Sequence, residues 1–254
     1  MNVEYRMNFN IRYSTFDIIS PMSLPYFYEP TVPSSGTHFT LSEDSSKHCI
    51  QVLRMKTGEL LQLTNGKGLL YTASIVSEDK KKTVVLLQQP VHTQPPVKNI
   101  HLAIALVKNT SRFEWLLEKA TEIGVSVIQP LITKRTEHTR FRSDRMNSIV
   151  IAAMLQSQQS WLPVLHEPVG FEEIMSQPPL AQQLIAYCGE GHKYLIKELP
   201  FSSETRMLIG PEGDFTEDEF RHALQNKYTA VGLGETRLRT ETAGIVAVSL
   251  LMNK

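Results

Sequence analysis

The segment RMLIGPEGDFTEDEF, Arg206 to Phe220, passes from a short apolar run through a glycine-bearing turn straight into a helix signature. Met207 to Ile209 have the composition of a buried strand end, and Gly210-Pro211-Glu212-Gly213 break it. Thr216 and Glu219 stand at the spacing of a capping box, in which each satisfies a backbone donor of the other. Phe215 and Phe220 sit at the spacing of a hydrophobic staple. Strand, turn and helix in that order form the unit of α/β sheets whose edges bind ligands.

The same unit recurs on both sides. IHLAIALV, from Ile100, reads as a buried strand, and SRFEWLLEKATEIG, from Ser111, as a helix. Ser111 and Glu114 offer a capping box, Phe113, Leu116, Leu117, Ala120 and Ile123 share one face, and Gly124 gives a C-terminal stop. SVIQPLI, QQLIAYC and YTAVGL read as further strands, and QSQQS at Gln156 to Ser160 as a polar helical face. A last helix begins at Thr240, its expected cap, with Glu241 in the first turn where the dipole favours an anion. Ala243, Val246, Ala247, Leu250 and Leu251 form one face, but Ile245 and Val248 lie off it. A helix so apolar all round must be buried, against its own domain or another subunit. The fold class is α/β, with a largely parallel sheet covered on both faces.

Upstream, QQPVHTQPPVKN, Gln88 to Asn99, reads as a linker because its prolines remove backbone donors. Before it, Asn65-Gly66 between two apolar runs is a hairpin signal, since the tight turn needs positive φ. With KKTVVLLQQ and THFTL this predicts a small β-rich domain over residues 22–94, with one helical segment around SKHCIQVLRM, and a second domain over 95–254. Residues 1–21 carry Arg6 and Arg12 without a signal-peptide core, and are expected to be a poorly ordered extension.

With 26 basic and 26 acidic residues there is no overall field for polyanions, so any nucleic-acid contact must be a local patch. Cys49 and Cys188 are too few and too far apart for a disulfide scaffold or zinc site, which points to a reducing cytoplasm. No run of 18 apolar residues occurs, and the eight histidines show no metal-site spacing, so neither a membrane nor a metal is expected.

Three strands of the second half each run into glycine: at Gly189-Glu190-Gly191, at Gly210 to Gly213, and at Gly232-Leu233-Gly234. Parallel strands bring such ends to one edge, where backbone without side chains can approach a flat ligand. Neither a Walker loop nor a dinucleotide fingerprint is present. Glu190 and Glu212 occupy the first two turns, which suits a ligand with positive charge or hydroxyls better than a phosphate. Arg237 and Arg239 follow the third turn as a cationic pair at the same edge.

LIGPEGDFTEDEF, VGLGETRLRTETAG, LAIALVKNTSRFEWLLEKATEIGV and HCIQVLRMKTGELLQLTNGKG together resemble the signature segments of the SPOUT-class RNA methyltransferases. The resemblance is strongest to the bacterial family that methylates uridine N3 in 16S rRNA, and it runs in family order from Met22 onward. It implies a PUA-like β-barrel RNA-binding domain, then an α/β domain with a C-terminal trefoil knot, an exception to the rule against threading. It further implies a homodimer, S-adenosylmethionine as methyl donor and 16S rRNA as partner; the lack of net basic charge favours that rRNA within the small ribosomal subunit over naked RNA. Carried over residue by residue, Leu208, Ile209, Gly210, Pro211, Glu212 and Gly213 form one cofactor loop and Leu233, Gly234, Leu238, Arg239 and Thr240 another, with Tyr187 to Glu190, Gly189 among them, on a third side. Two departures stand out. The family's second glycine is Asp214 here, and its glutamate, glutamine and arginine around AAMLQSQQSWLP are Leu155, Gln156 and Gln159.

Methylation at uracil N3 requires loss of a proton and support for the charge that spreads onto the carbonyl oxygens. Arg239 first, and Arg237 second, are the candidates for that support, an effect typically worth about 3–4 kcal/mol per donor. Glu241, Glu212 or a water could serve as base. TKRTEHTRFRSDR places Lys134, Arg135, Arg140, Arg142 and Arg145 around Phe141, an RNA patch with an aromatic ring for stacking, to which Arg54 and Lys56 add from the first domain. Two other readings remain open at this level: an RNA-binding ribosome-assembly protein whose catalysis has lapsed, and a methyltransferase with a different RNA target.

Overall fold

The computed structural model describes residues 24–34 and 36–254. The expected extension at 1–21 lies outside them. The first sheet is built from β1 (Tyr26–Tyr28), β2 (His38–Thr40), β3 (Leu60–Thr64), β4 (Leu69–Ser77), β5 (Val84–Leu87) and β6 (Val91–His92). Between β2 and β3 lies α1 (Glu43–Lys47), continued by a π-helical turn over His48–Val52. The strand order is β1-β3-β4-β5-β2 with β6 on β4, antiparallel except for β1 against β3. Along β4, Leu69, Tyr71, Ala73 and Ile75 are buried and their neighbours are not, the period of two expected of a one-faced sheet.

The stretch expected as a linker is partly strand. Val91 and His92 pair with Leu70 and Leu69, between Pro90 and Pro95, where the chain keeps its donors. The Asn65 turn runs to Gly68: Asn65 Oδ1 accepts from the backbone of Lys67 at 2.8 Å and of Leu69 at 3.2 Å, and Gly66 and Gly68 have φ of +70° and +83°. This turn forms the joint between the two sheets. Lys67 bridges Trp161, Gly68 N–H donates to Ser160 O at 2.8 Å, and Leu162 N–H donates to Gly66 O at 2.8 Å.

The second sheet comprises β7 (Asn99–Ala105), β8 (Val127–Ile132), β9 (Val164–Leu165), β10 (Val169–Gly170), β11 (Gln182–Ala186), β12 (Tyr194–Leu195), β13 (Glu204–Ile209) and β14 (Thr229–Gly232). The helices are α2 (Thr110–Ile123), α3 (Ser143–Gln156), α4 (Phe171–Ser176), α5 (Glu217–Gln225) and α6 (Thr240–Met252). Its order is β10-β8-β7-β13-β11-β14-β12 with β9 on β8, and every pair is parallel. Strand β13 enters between β7 and β11, so the chain ends of β13, β11 and β14 stand side by side. Among the described residues no helix is long and apolar enough to cross a membrane.

Several local expectations are corrected. Helix α2 is capped by Asn109, whose side chain accepts from Ser111 N–H at 3.0 Å, and Glu114 pairs with Arg145 instead of closing a box. Helix α3 ends at Gln156, so Ser157 to Ser160 are not a helical face. Gln159 Nε2 donates to Glu122 O at 3.2 Å and to Thr121 O at 2.8 Å, the latter already an acceptor for Gly124 N–H, at the C-terminus of α2. In α6, Arg239 holds the cap position without a side-chain bond, and Thr240 is already helical and buried. The buried stripe of α6 is Gly244, Ala247, Val248 and Leu251, whereas Leu250 is 40% exposed. Gly244 sets this orientation, because a Cβ there would lie 2.7 Å from Ile104 and 2.9 Å from Leu116.

Candidate functional site

The ends of β11, β13 and β14 open into a cleft of about 910 Å³, within the range of about 300–1,000 Å³ usual for small-molecule sites. All three glycine turns wall it. From the first come Tyr187, Cys188 and Gly189, from the second Ile209, Gly210, Pro211, Glu212 and Asp214, and from the third Gly232, Leu233 and Gly234. Leu238, Arg239, Thr240 and Ala243 close the remaining side, with Arg237 beside them.

The glycines are there for close approach as much as for torsion. A Cβ on Gly189 would lie 2.3 Å from the Tyr187 ring, and that ring cannot yield because it stacks on Phe220 at 3.9 Å with planes 11° apart. A Cβ on Gly210 would meet the Phe215 nitrogen at 3.0 Å.

The second turn is held by the box foreseen from its sequence. Glu219, 3% exposed, accepts from Thr216 N–H and Thr216 Oγ1, both at 2.9 Å, and the Thr216 hydroxyl accepts from Glu219 N–H at 3.2 Å. The other Glu219 oxygen accepts from Lys134 N–H at 2.8 Å, which ties the basic loop after β8 to this turn. Glu219→Ala is expected to destabilise the fold by about 1–3 kcal/mol, since half of the capping box is lost and the part-buried N–H groups of Thr216 and Lys134 lose their acceptor. Urea unfolding, with the midpoint lowered and the slope unchanged, checks this.

Two residues assigned to the cofactor loops lie elsewhere. Leu208 is fully buried with Phe171, Phe215 and Tyr228, one strand position below the cleft, and Gly213 faces Arg135 rather than the opening. Arg135, read from the sequence as an RNA contact, lines the cleft and donates to Gly213 O at 2.6 Å and Phe215 O at 3.3 Å. Lys193, Glu235, Thr236 and Ala243 also line it. Ala243 was legible, one helical turn after Thr240; Lys193 carried no signal.

Arg237 and Arg239 are exposed in the cleft and make no ion pair among the described residues. The two acidic candidates separate. Glu212 lines the cleft and accepts from Lys108 N–H at 3.1 Å. Glu241 is buried, outside the cleft lining, with Arg112 Nε at 3.7 Å.

Of the basic patch, Arg140 and Arg142 are exposed without ion pairs among the described residues, as is Arg54. Lys134 stands 3.9 Å from Asp218 and Lys56 3.2 Å from Glu78. Phe141 is not a free stacking ring: it packs edge-to-face on Phe113, with centroids 6.3 Å apart.

The family model of the RNA methyltransferase domain matches residues 93–252, and that of the RNA methyltransferase PUA domain matches residues 41–88. The ribosomal RNA small subunit methyltransferase E of Rickettsia conorii is 28% identical over 223 residues, covering 85% of this chain and 90% of that protein. A probable rRNA-methyltransferase from Porphyromonas gingivalis superposes with a TM-score of 0.84 at 36% identity, over 91% of this chain and 98% of that one. A ribosomal RNA small subunit methyltransferase E from Neisseria gonorrhoeae, solved bound to S-adenosylmethionine, gives 0.82 at 29% identity, again over 91% and 98%.

Proposed function

This chain belongs to the RNA methyltransferase family, and from that premise we propose that it transfers a methyl group from S-adenosylmethionine to N3 of a uridine in small-subunit ribosomal RNA. The observation that carries the reading is the single cleft walled by all three glycine turns, with two unpaired arginines at its rim. Its glycine turns would leave backbone exposed to a flat adenosine, Ile209, Leu233 and Leu238 would supply apolar surface, and the Glu212 carboxylate in the same lining would suit a cationic sulfonium. When bound, the donor supplies an electrophilic methyl group. The chain's part is to orient the pyrimidine, accept its N3 proton and hold the resulting charge. Arg239, with Arg237 beside it, supports the charge on the carbonyl oxygens, and Glu212 is the carboxylate positioned at the cleft for the proton.

The departure at Gln159 bears little on this chemistry. Its side chain bonds the C-terminus of α2, and neither it nor Leu155, the other departure, lines the cleft, which weakens the motive for the lapsed-enzyme reading. The domain division at 94/95, the trefoil knot, the homodimer and a cytoplasmic site of action belong to the same reading. Insertion of β13 between β7 and β11, with α6 returning onto α2 and β7, supports the knot, and exposed Leu250 on α6 and Trp115 on α2 offer apolar surface to a second copy.

Mass spectrometry of rRNA from cells with and without the gene tests the activity. A methylated uridine that vanishes with the gene supports it, and identical spectra would overturn it. For RNA contact, the double reversal Arg140→Glu/Arg142→Glu is expected to weaken RNA binding and to lower the log–log salt slope by about two. Affinity for S-adenosylmethionine should not change; loss of both affinities together would refute the patch.

A further inference from the structure

Asp214 is the left-handed residue of the second turn, with φ +63°, where the resembled family carries glycine. Aspartate tolerates this region because its short side chain can hydrogen-bond nearby backbone. Here one of those bonds is not local. Oδ1 accepts from Phe215 N–H at 2.8 Å, and Oδ2 accepts from Cys188 N–H at 2.8 Å. Cys188 belongs to the loop after β11, so a single carboxylate joins two of the three turns around the cleft. Glycine would satisfy the torsion more easily and leave this junction open.

We propose that Asp214 is a positioning residue that holds the Cys188–Gly189 wall against the Gly210–Phe215 turn and thereby sets how long the cleft retains S-adenosylmethionine. The inference rests on the cofactor reading above. Arg135 fixes the same turn independently through Gly213 O and Phe215 O, and Tyr187 stays stacked on Phe220, so loss of the carboxylate loosens the Cys188–Gly189 backbone beyond that ring rather than the turn. Cys188 is exposed, and partial desolvation, then the Asp214 carboxylate, raise its thiol above the ordinary value, so loss of that charge and opening of the junction both speed its alkylation.

The test compares the parent with D214G and D214N by calorimetry and stopped-flow with S-adenosylmethionine, and by iodoacetamide alkylation of Cys188 in the cofactor-free protein, located by mass spectrometry. D214G is expected to weaken binding about tenfold, mainly by faster dissociation, and to speed alkylation about threefold or more. D214N should fall between, because a carboxamide offers one acceptor oxygen for two donors. Dissociation in D214G equal to the parent's, or alkylation of D214G no faster than that of D214N, which lacks the same charge, would overturn the proposal. Failure of the parent to bind S-adenosylmethionine would overturn the cofactor reading instead, and the difference in alkylation rate between D214G and D214N, which lack the charge alike, would still decide the junction.

Discussion

Arg239→Ala lowers single-turnover methylation by about 10²–10³-fold, while S-adenosylmethionine binds within about threefold of the parent affinity. The expectation follows from where the guanidinium stands and from what it does not do. Arg239 lines the cleft, is exposed, and has no carboxylate partner among the described residues, so its charge is available to a substrate oxygen. It also occupies the cap position of α6 without a side-chain cap bond, so truncation removes no structural contact there. Alanine keeps the backbone by which Arg239 belongs to the cofactor loop, and a side chain that meets charge only as the pyrimidine loses its proton affects the chemical step and leaves donor binding alone. Arg239→Lys should recover only part of the rate, because an ammonium lacks the planar fork of donors. A collapse of donor affinity in Arg239→Ala, with the rate on saturated enzyme unchanged, would assign the residue to the cofactor instead.

Gly68→Ala destabilises the protein by about 2–4 kcal/mol, the sum of a strained left-handed alanine and overpacking. At this size the melting midpoint falls by roughly 5–15 °C. At φ +83° the added Cβ would sit 2.4 Å from the Trp161 ring and 3.0 Å from Thr93 O. Neither neighbour can withdraw cheaply. Trp161 is bridged to Lys67, and Thr93 N–H donates to Gly68 O at 2.8 Å. The lesion therefore falls on the joint between the two sheets and opens the bonds from Gly68 to Ser160 and from Leu162 to Gly66. Gly58→Ala serves as the control, because it shares the positive φ with no atom within 4 Å of the new Cβ. Equal melting shifts in the two variants would show that torsion alone, and not the joint, sets the cost.

The expected elements were legible where a local signal and the tertiary demand coincide. The Thr216–Glu219 box forms because both partners lie within one turn, and Gly124 ends α2 in the left-handed conformation its sequence position requires. The basic residues were legible as a cluster, but their division of labour was not. All three are exposed, but Arg135 is committed to the carbonyls of Gly213 and Phe215, while Arg140 and Arg142 make no ion pair among the described residues. Phe141 was misassigned for the same reason, since an aromatic ring between arginines looks alike whether it meets a base or Phe113.

The sequence by itself determined the alternation of strands and helices, the three glycine turns and the chemistry available at them, because these rest on period, torsion and residue type, which are properties of short segments. Which face of α6 is buried was not among them. A helix apolar on all sides has no preferred face until Gly244 meets Ile104 and Leu116. Nor was the bond from Asp214 to Cys188, which joins residues 26 positions apart. Only the insertion of β13 beside β11 brings those two loops within hydrogen-bond reach, and that juxtaposition is a property of the sheet as a whole.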